Sequence, residues 1–305
     1  MPSKMIETSS FDRKMLEKAP LRDYGFHKIF DVTTEDGRIC LGFLLRHICG
    51  LKSEDIEMLL PKRYEGEKGE KKTTESDIRI IVNKEYHVII EMQLIATREF
   101  LLRTGYYGAS EIVNQLDSGD KHIELKQTVI ICLMDTADFK ESKEYAYVET
   151  FKMLNDVGKE RIGFPYVYDV YLGKLAEKEI DYSKYDRDTI LAVFTQIMYN
   201  KGDNNLQDKI NDYIMRGPGE LMEGLDKIVE KVDFLNSDEA SRERLIKEYW
   251  DYQELKGIRR EGKEEGKEET MRDVIKTMFS NNYPAEQIAS ALNLELEYVE
   301  EVLNS

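Results

Sequence analysis

Polar residues interrupt an apolar run at residues 88–96, which read VIIEMQLIA. Alternate residues of a β-strand face opposite sides of a sheet. One face of the predicted strand is then wholly apolar and is formed by Val88, Ile90, Met92 and Leu94. Glu91 and Gln93 share the opposite face, two positions apart. The pattern therefore predicts a strand with one core-facing side and one side that carries a pair of polar groups.

A second strand is predicted just before this one, at residues 76–82 (SDIRIIV), and residues 83–85 form a plausible hairpin loop. If the hairpin is symmetric about Lys84, Asp77 lies opposite Glu91 on the same face, with roughly 5 Å between the two Cβ atoms. A slip of one residue would move Glu91 to the other face. The proximity of the two carboxylates thus depends on the register.

The surrounding segments alternate between helical and extended patterns. Residues 20–30 and 97–117 have helical spacing, and the β-branched run at 128–134 is typical of a buried strand. This combination predicts an α/β fold. Beyond about Phe139 the strand signals fade, apart from residues 167–172, and a mostly helical region is expected up to Tyr252.

The carboxyl-terminal part differs in composition. Residues 254–273 are almost wholly charged, which favours a solvated helix or hinge, and residues 283–303 predict two short amphipathic helices around Asn293. The pair resembles a helix-turn-helix, but the second helix carries four glutamates that would repel phosphate: Glu295, Glu297, Glu300 and Glu301. We therefore favour a packing or protein-contact module over DNA recognition, and self-association through these helices is compatible with it.

Composition limits the class of protein. A chain of 305 residues with 41% hydrophobic content can bury a sizeable core. The absence of a run of about 18 apolar residues and of a signal-peptide pattern predicts a cytoplasmic protein without a membrane segment. The three cysteines fit reduced structural thiols. A net charge of −16 argues against nonspecific coating of nucleic acid, but it allows a local metal-dependent site.

Two carboxylates directly opposite each other on a sheet are destabilising unless a cation offsets their repulsion. Hard oxygen ligands at this spacing suit Mg²⁺ or Mn²⁺. The alternative is that Asp77 and Glu91 are ordinary edge-strand charges with Arg79 as their counterion. The pattern alone leaves both interpretations open.

Short motifs add a family resemblance. The segments are D-x-x-F-x-x-I-F from Asp23, SDI at 76–78, IEMQ at 90–93, R-x-x-YY from Arg103, and an EGKEEGKEE connector before the terminal helices. Together they resemble the PD-(D/E)XK nuclease superfamily, and in particular the Rpn group of recombination-promoting nucleases, also called PD-(D/E)XK nuclease family transposases.

The resemblance implies a restriction-endonuclease-like core, a helix-flanked mixed sheet, in residues 1–139. It implies a mostly helical region at 140–253 and a connector with a helical hairpin tail at 254–305. The expected activity is that of a divalent-metal DNA endonuclease, with Mg²⁺ or Mn²⁺ as cofactor, DNA as substrate and a role in promoting recombination. A catalytically silent DNA- or protein-binding relative is the alternative.

The resemblance also implies roles for individual residues. Asp77 would be the central metal ligand, Glu91 the second ligand, and Asp23 an acidic residue that helps to hold the metal or its water. Gln93 stands where the superfamily has a lysine that orients the attacking water, and it lacks that lysine's charge. His27 also departs from the family, which commonly has a lysine there.

Two basic residues are candidates for DNA contact. Arg103 opens the helix after the Glu91 strand, although its stem could instead pack on the sheet with its head in water. Lys72 belongs to a basic stretch before Asp77 that could meet phosphate, or be a solvated loop.

Overall fold

The computed structural model describes residues 10–59, 76–116, 119–137, 146–161 and 163–304. The chain divides into two units, Met1–Ile246 and Lys247–Ser305.

The first unit contains a six-stranded mixed sheet in the order β1-β2-β3-β4-β6-β5. Its strands are β1 (Ile56–Met58), β2 (Ile78–Val82), β3 (Tyr86–Ala96), β4 (Gln127–Ala137), β5 (Val148–Phe151) and β6 (Tyr166–Tyr171). The pairs β3–β4 and β4–β6 are parallel, and the other pairs are antiparallel. The sheet with its flanking helices confirms the predicted fold class.

The β2–β3 hairpin has the predicted register. Ile78 pairs with Ile90 and Val82 pairs with Tyr86, so the strands are symmetric about Lys84. Asn83 and Lys84 have φ values of 51° and 58°, and the amide of Glu85 donates to the carbonyl of Val82 at 3.0 Å. Two left-handed residues in succession turn the chain tightly, and with Glu85 they form a three-residue loop between the paired residues Val82 and Tyr86. The turn therefore fixes the register on which the approach of Asp77 to Glu91 depends.

Helices cover both faces of the sheet. In the first unit they are α1 (Ser10–Leu16), α2 (Asp23–Ile29), α3 (Glu35–Leu44), α4 (Arg98–Val113), α5 (Leu172–Glu177), α6 (Arg187–Tyr199), α7 (Asn204–Arg216) and α8 (Gly219–Ser237), with short helical turns at Ala19–Leu21, Leu45–Cys49 and His122–Glu124. The main core lies on the Val88–Ile90 face against α2, α3, α6 and α8, and α4 covers the opposite face through Phe100 and Tyr107.

The sheet extends further along the chain than the sequence indicated. Strands β5 and β6 follow residue 139 and still pair with the same sheet, and Leu191 and Leu225 of the helix-rich region belong to its main core. The expected boundary at 139/140 thus lies inside the first unit, which continues to Ile246. The physical reason is that the apolar face of the sheet needs a second layer, and α6 and α8 provide it.

The second unit contains α9 (Glu239–Ser280) from Lys247 onward, α10 (Ala285–Leu292) and α11 (Leu296–Asn304). Its small core is formed by Ile275, Ile288, Ala289, Val299 and Val302. The two short predicted helices are confirmed, and Asn293 ends α10 in the left-handed conformation (φ 55°). Residues 254–273 lie within α9. Within the described ranges, no helix combines the length and the apolar character that a membrane span requires.

Candidate active site

Helix α2 carries Asp23 and His27 on one exposed face, because residues four apart on a helix lie above one another. Two features fix its start. The buried Arg22 guanidinium donates to the carbonyls of Met15, Glu17 and Leu245 at 2.7 to 2.9 Å. A Cβ at Gly25 would lie 2.3 Å from the Ala19 carbonyl oxygen. Glycine at this position therefore lets α2 pack against the preceding turn more closely than a residue with a side chain would.

Asp77 and Glu91 lie at the open end of the β2–β3 hairpin and are bound to each other's strands. The Met92 amide donates to Asp77 Oδ2 at 2.7 Å, and the Asp77 amide donates to Glu91 Oε1 at 3.3 Å. Glu91 is only 3% exposed, and Asp77 is half-buried. The predicted approach of these two residues is therefore present in the fold.

Both carboxyl groups have raised pKa values. Burial and then the charge of Asp77 raise the pKa of Glu91 to about 8, against the opposing charge of Arg103 and the Asp77 amide. Burial also raises the pKa of Asp77, although the Met92 amide and then the charge of His27 oppose this. In the absence of a cation, the pair therefore retains a proton near neutral pH.

Arg103 of α4 extends to the polar face of β3. Its Nη2 donates to Gln93 Oε1 at 3.1 Å and lies 3.9 Å from Glu91 Oε2. The guanidinium also stacks near the Phe100 ring, 5.4 Å from its centroid. The arginine head thus lies beside the two polar residues of β3, with its side chain 36% exposed.

A buried ionic cluster holds α4 on the hairpin. Glu111, which is 0% exposed, accepts from Arg79 Nε at 2.6 Å and from Arg79 Nη2 at 2.7 Å, and His87 Nδ1 lies 2.6 Å from its Oε1. Burial opposes ionisation of Glu111, but the hydrogen bonds from His87 and Arg79 and the charge of Arg79 lower its pKa to about 2.

This cluster corrects one alternative from the sequence. Arg79 faces Glu111 rather than serving as the counterion of Asp77 and Glu91. Glu91 is moreover buried on β3, which has neighbours on both sides, so it is not an edge-strand charge. The sequence pattern alone does not select Glu111 as a buried residue. Its position nevertheless continues the helical spacing of the other buried residues of α4, which are Phe100, Thr104, Tyr107 and Gly108.

Three side chains form a group that could hold a metal ion. Asp23, His27 and Asp77 each offer one ligand atom, and these atoms lie within 4.8 Å of one another. Glu91 is attached to this group through the Asp77 amide. Carboxylate oxygens with an imidazole nitrogen suit a divalent cation. Lys72 lies outside the residues that the structure describes.

A comparison of the sequence with models of protein families identifies the family of this chain. The family model described as PD-(D/E)XK nuclease family transposase matches residues 20–254. The chain belongs to this family. The match to the PD-(D/E)XK nuclease family transposases includes α2, the β2–β3 hairpin and α4, which carry the site, and it ends within α9. Searches of curated proteins and of solved structures returned no significant match.

Family membership indicates a nuclease-like function. PD-(D/E)XK nucleases generally use divalent metals, and the acidic and histidine ligands around Asp77 fit such an ion. His27 is the member of the site that sequence reasoning did not select. Its spacing of four from Asp23 on a predicted helix was the available signal.

Proposed function

We propose that this protein is a metal-dependent DNA endonuclease that uses Mg²⁺ or Mn²⁺. The observation that carries the proposal is the carboxylate pair Asp77–Glu91 at the end of the hairpin. Glu91 is buried beside Asp77, and the pKa of Glu91 is raised to about 8. Burying two like charges together costs stability unless a cation balances them. A role in recombination would be a consequence of this cleavage.

Asp77, Glu91 and Asp23 would hold the metal. When bound, a divalent cation lowers the pKa of a water molecule and supplies positive charge beside the phosphodiester oxygens. The protein's own contribution begins with Glu91, which must release its proton before it can act as an anionic ligand.

Gln93 and Arg103 would then orient the reactants. Because the Gln93 carbonyl oxygen accepts from Arg103, its NH₂ group remains as a donor that can hold a water molecule in position. Arg103 supplies the charge that Gln93 lacks, and a guanidinium can bind a phosphate oxygen while it keeps the glutamine in place. DNA contact by Arg103 is thus compatible with its packing on the sheet, and contact by Lys72 stays a prediction.

The test is nicking of supercoiled DNA by the full chain with Mg²⁺, with Mn²⁺ and with a chelator. We expect cleavage with metal only, and its loss in Asp77→Asn and Glu91→Gln. Asp156→Asn is the matched control, because it removes a carboxylate from an exposed loop position. Circular dichroism checks that each variant is folded.

Full activity in Asp77→Asn would refute the proposal. DNA binding without cleavage by the wild type, with the same affinity in Asp77→Asn, would indicate the catalytically silent relative instead.

A further inference from the structure

We propose that His27 is a metal ligand, which makes this a mixed nitrogen–oxygen site that prefers a transition-metal ion such as Mn²⁺ or Co²⁺ over Mg²⁺. The inference deepens the proposed function and rests on the same site. It concerns the class of cofactor that the residues of this chain select.

The geometry brings His27 to Asp77 from a distant part of the sequence. Asp23 and His27 lie one helical turn apart on the exposed face of α2, with His27 Nε2 3.3 Å from Asp23 Oδ1. The carboxylate of Asp77, fifty residues further along the chain, completes a group whose ligand atoms all lie within 4.8 Å of one another. Two donors from one helix turn and a third from a strand can converge on a single ion.

The simpler interpretation is a surface ion pair between Asp23 and His27, which contributes little to stability. That interpretation does not account for Asp77. Its carboxylate joins the group while it is held by the Met92 amide, and Asp77 also contacts a second acid that is only 3% exposed, Glu91. A surface pair has no need of these two further carboxyl groups, whereas a cation is stabilised by all of them.

The donor set determines the preferred ion. Mg²⁺ takes oxygen ligands and gives up its water reluctantly. Imidazole is a better ligand for first-row transition metals, whose affinity for mixed sites rises from Mn²⁺ through Co²⁺. Replacement of His27 by a residue without a donor nitrogen should therefore weaken transition-metal binding more than Mg²⁺ binding.

The experiment uses the metal-free chain of 305 residues. Calorimetric titrations with Co²⁺ and with Mg²⁺ compare the wild type with His27→Gln and with His122→Gln, which removes another exposed imidazole. We expect His27→Gln to lose at least about tenfold in Co²⁺ affinity, because even outer-shell changes at metal sites cost that much. Mg²⁺ affinity should change less, and His122→Gln should match the wild type.

Pulsed electron paramagnetic resonance of the Mn²⁺-loaded protein provides a second readout that is independent of affinity. A ¹⁴N coupling from a directly bound imidazole is expected, and it should disappear in His27→Gln but persist in His122→Gln. The side chain of His27 is 47% exposed, so its replacement leaves the core intact.

Absence of the ¹⁴N coupling in the wild type, or an unchanged Co²⁺ affinity in His27→Gln, would overturn the inference. Either result could coexist with Asp77-dependent DNA cleavage, in which case the proposed function stands and the role of His27 does not. If the ¹⁴N coupling depends on His27 but the protein cleaves no DNA with any metal, then His27 is a metal ligand and the proposed function is wrong.

Discussion

Metal binding at the Asp77–Glu91 pair should depend steeply on pH. Glu91 has a pKa of about 8 in the absence of a cation, so it carries a proton at neutral pH that a metal must displace. Each released proton lowers the apparent affinity about tenfold per pH unit below that pKa. Between pH 8 and pH 6 the affinity should therefore fall roughly 100-fold for one proton, and further if Asp77 also releases one.

The assay is Mn²⁺ titration calorimetry across this range in pairs of buffers with different ionisation enthalpies, which counts the protons released. Glu91→Gln should bind more weakly, but its affinity should change less with pH, with about one proton fewer released per ion. The decisive quantity is the slope of the logarithm of the affinity against pH, rather than the affinity at any one pH. An equal slope in wild type and variant, or a wild-type affinity that is constant from pH 6 to 8, would refute the reasoning.

The same pKa makes a prediction about stability without metal. Because the folded state holds the Glu91 proton more tightly than the unfolded state, this stabilisation is complete below pH 4.5 and is lost as the pH rises through about 8. At about 1.36 kcal/mol per pKa unit, the loss is at most roughly 5 kcal/mol. Urea unfolding in the presence of a chelator should show it, and Glu91→Gln should remove it. Equal pH dependence in the two proteins would contradict the assignment.

Three further substitutions test the supporting structure. Glu111→Gln removes the buried charge that Arg79 and His87 both contact and should cost about 3–5 kcal/mol in urea unfolding, so a loss below about 1 kcal/mol would be inconsistent with the buried cluster. Gly25→Ala forces a methyl group against the Ala19 carbonyl and should cost about 1–3 kcal/mol while weakening Mn²⁺ binding, and unchanged binding would show that the position of α2 is unimportant. Gly262→Ala should stabilise α9 by about 0.5–1 kcal/mol in far-ultraviolet circular dichroism melts, because alanine favours a helix more than glycine does. Apart from the adjoining residues and the backbone of the same helix, the described residues place no atom within 4 Å of the added carbon, and a destabilised variant would contradict this.

The β2–β3 hairpin was predictable because its information is local. Alternation with a period of two separates the core face of β3 from the face of Glu91, and the short loop at Lys84 leaves few registers that keep both strands apolar on the same side. The approach of Asp77 to Glu91 followed from those two facts. No long-range information was needed.

The parts that the sequence did not reveal depend on distant packing. Nothing in the spacing of Asp23 and His27 indicates that α2 lies beside the start of β2, because that position is set by Gly25, Arg22 and the main core. The pairing of β6 with β4 is likewise non-local, so the run at 167–172 could be predicted as a strand but not assigned to this sheet.

The hydrogen bonds at the end of the hairpin are reciprocal. Asp77 accepts from the main chain of the Glu91 strand, and Glu91 accepts from the main chain of Asp77. Removal of the Asp77 carboxylate therefore leaves the Met92 amide, next to Glu91, without this acceptor, and removal of the Glu91 carboxylate does the same to the amide of Asp77. The two residues therefore act as one unit in metal binding. In a double-mutant cycle, the loss of both carboxylates should reduce the free energy of metal binding little more than the loss of one. Once a relative has lost one of these acids, selection to keep the other would be weak, so the two should disappear together.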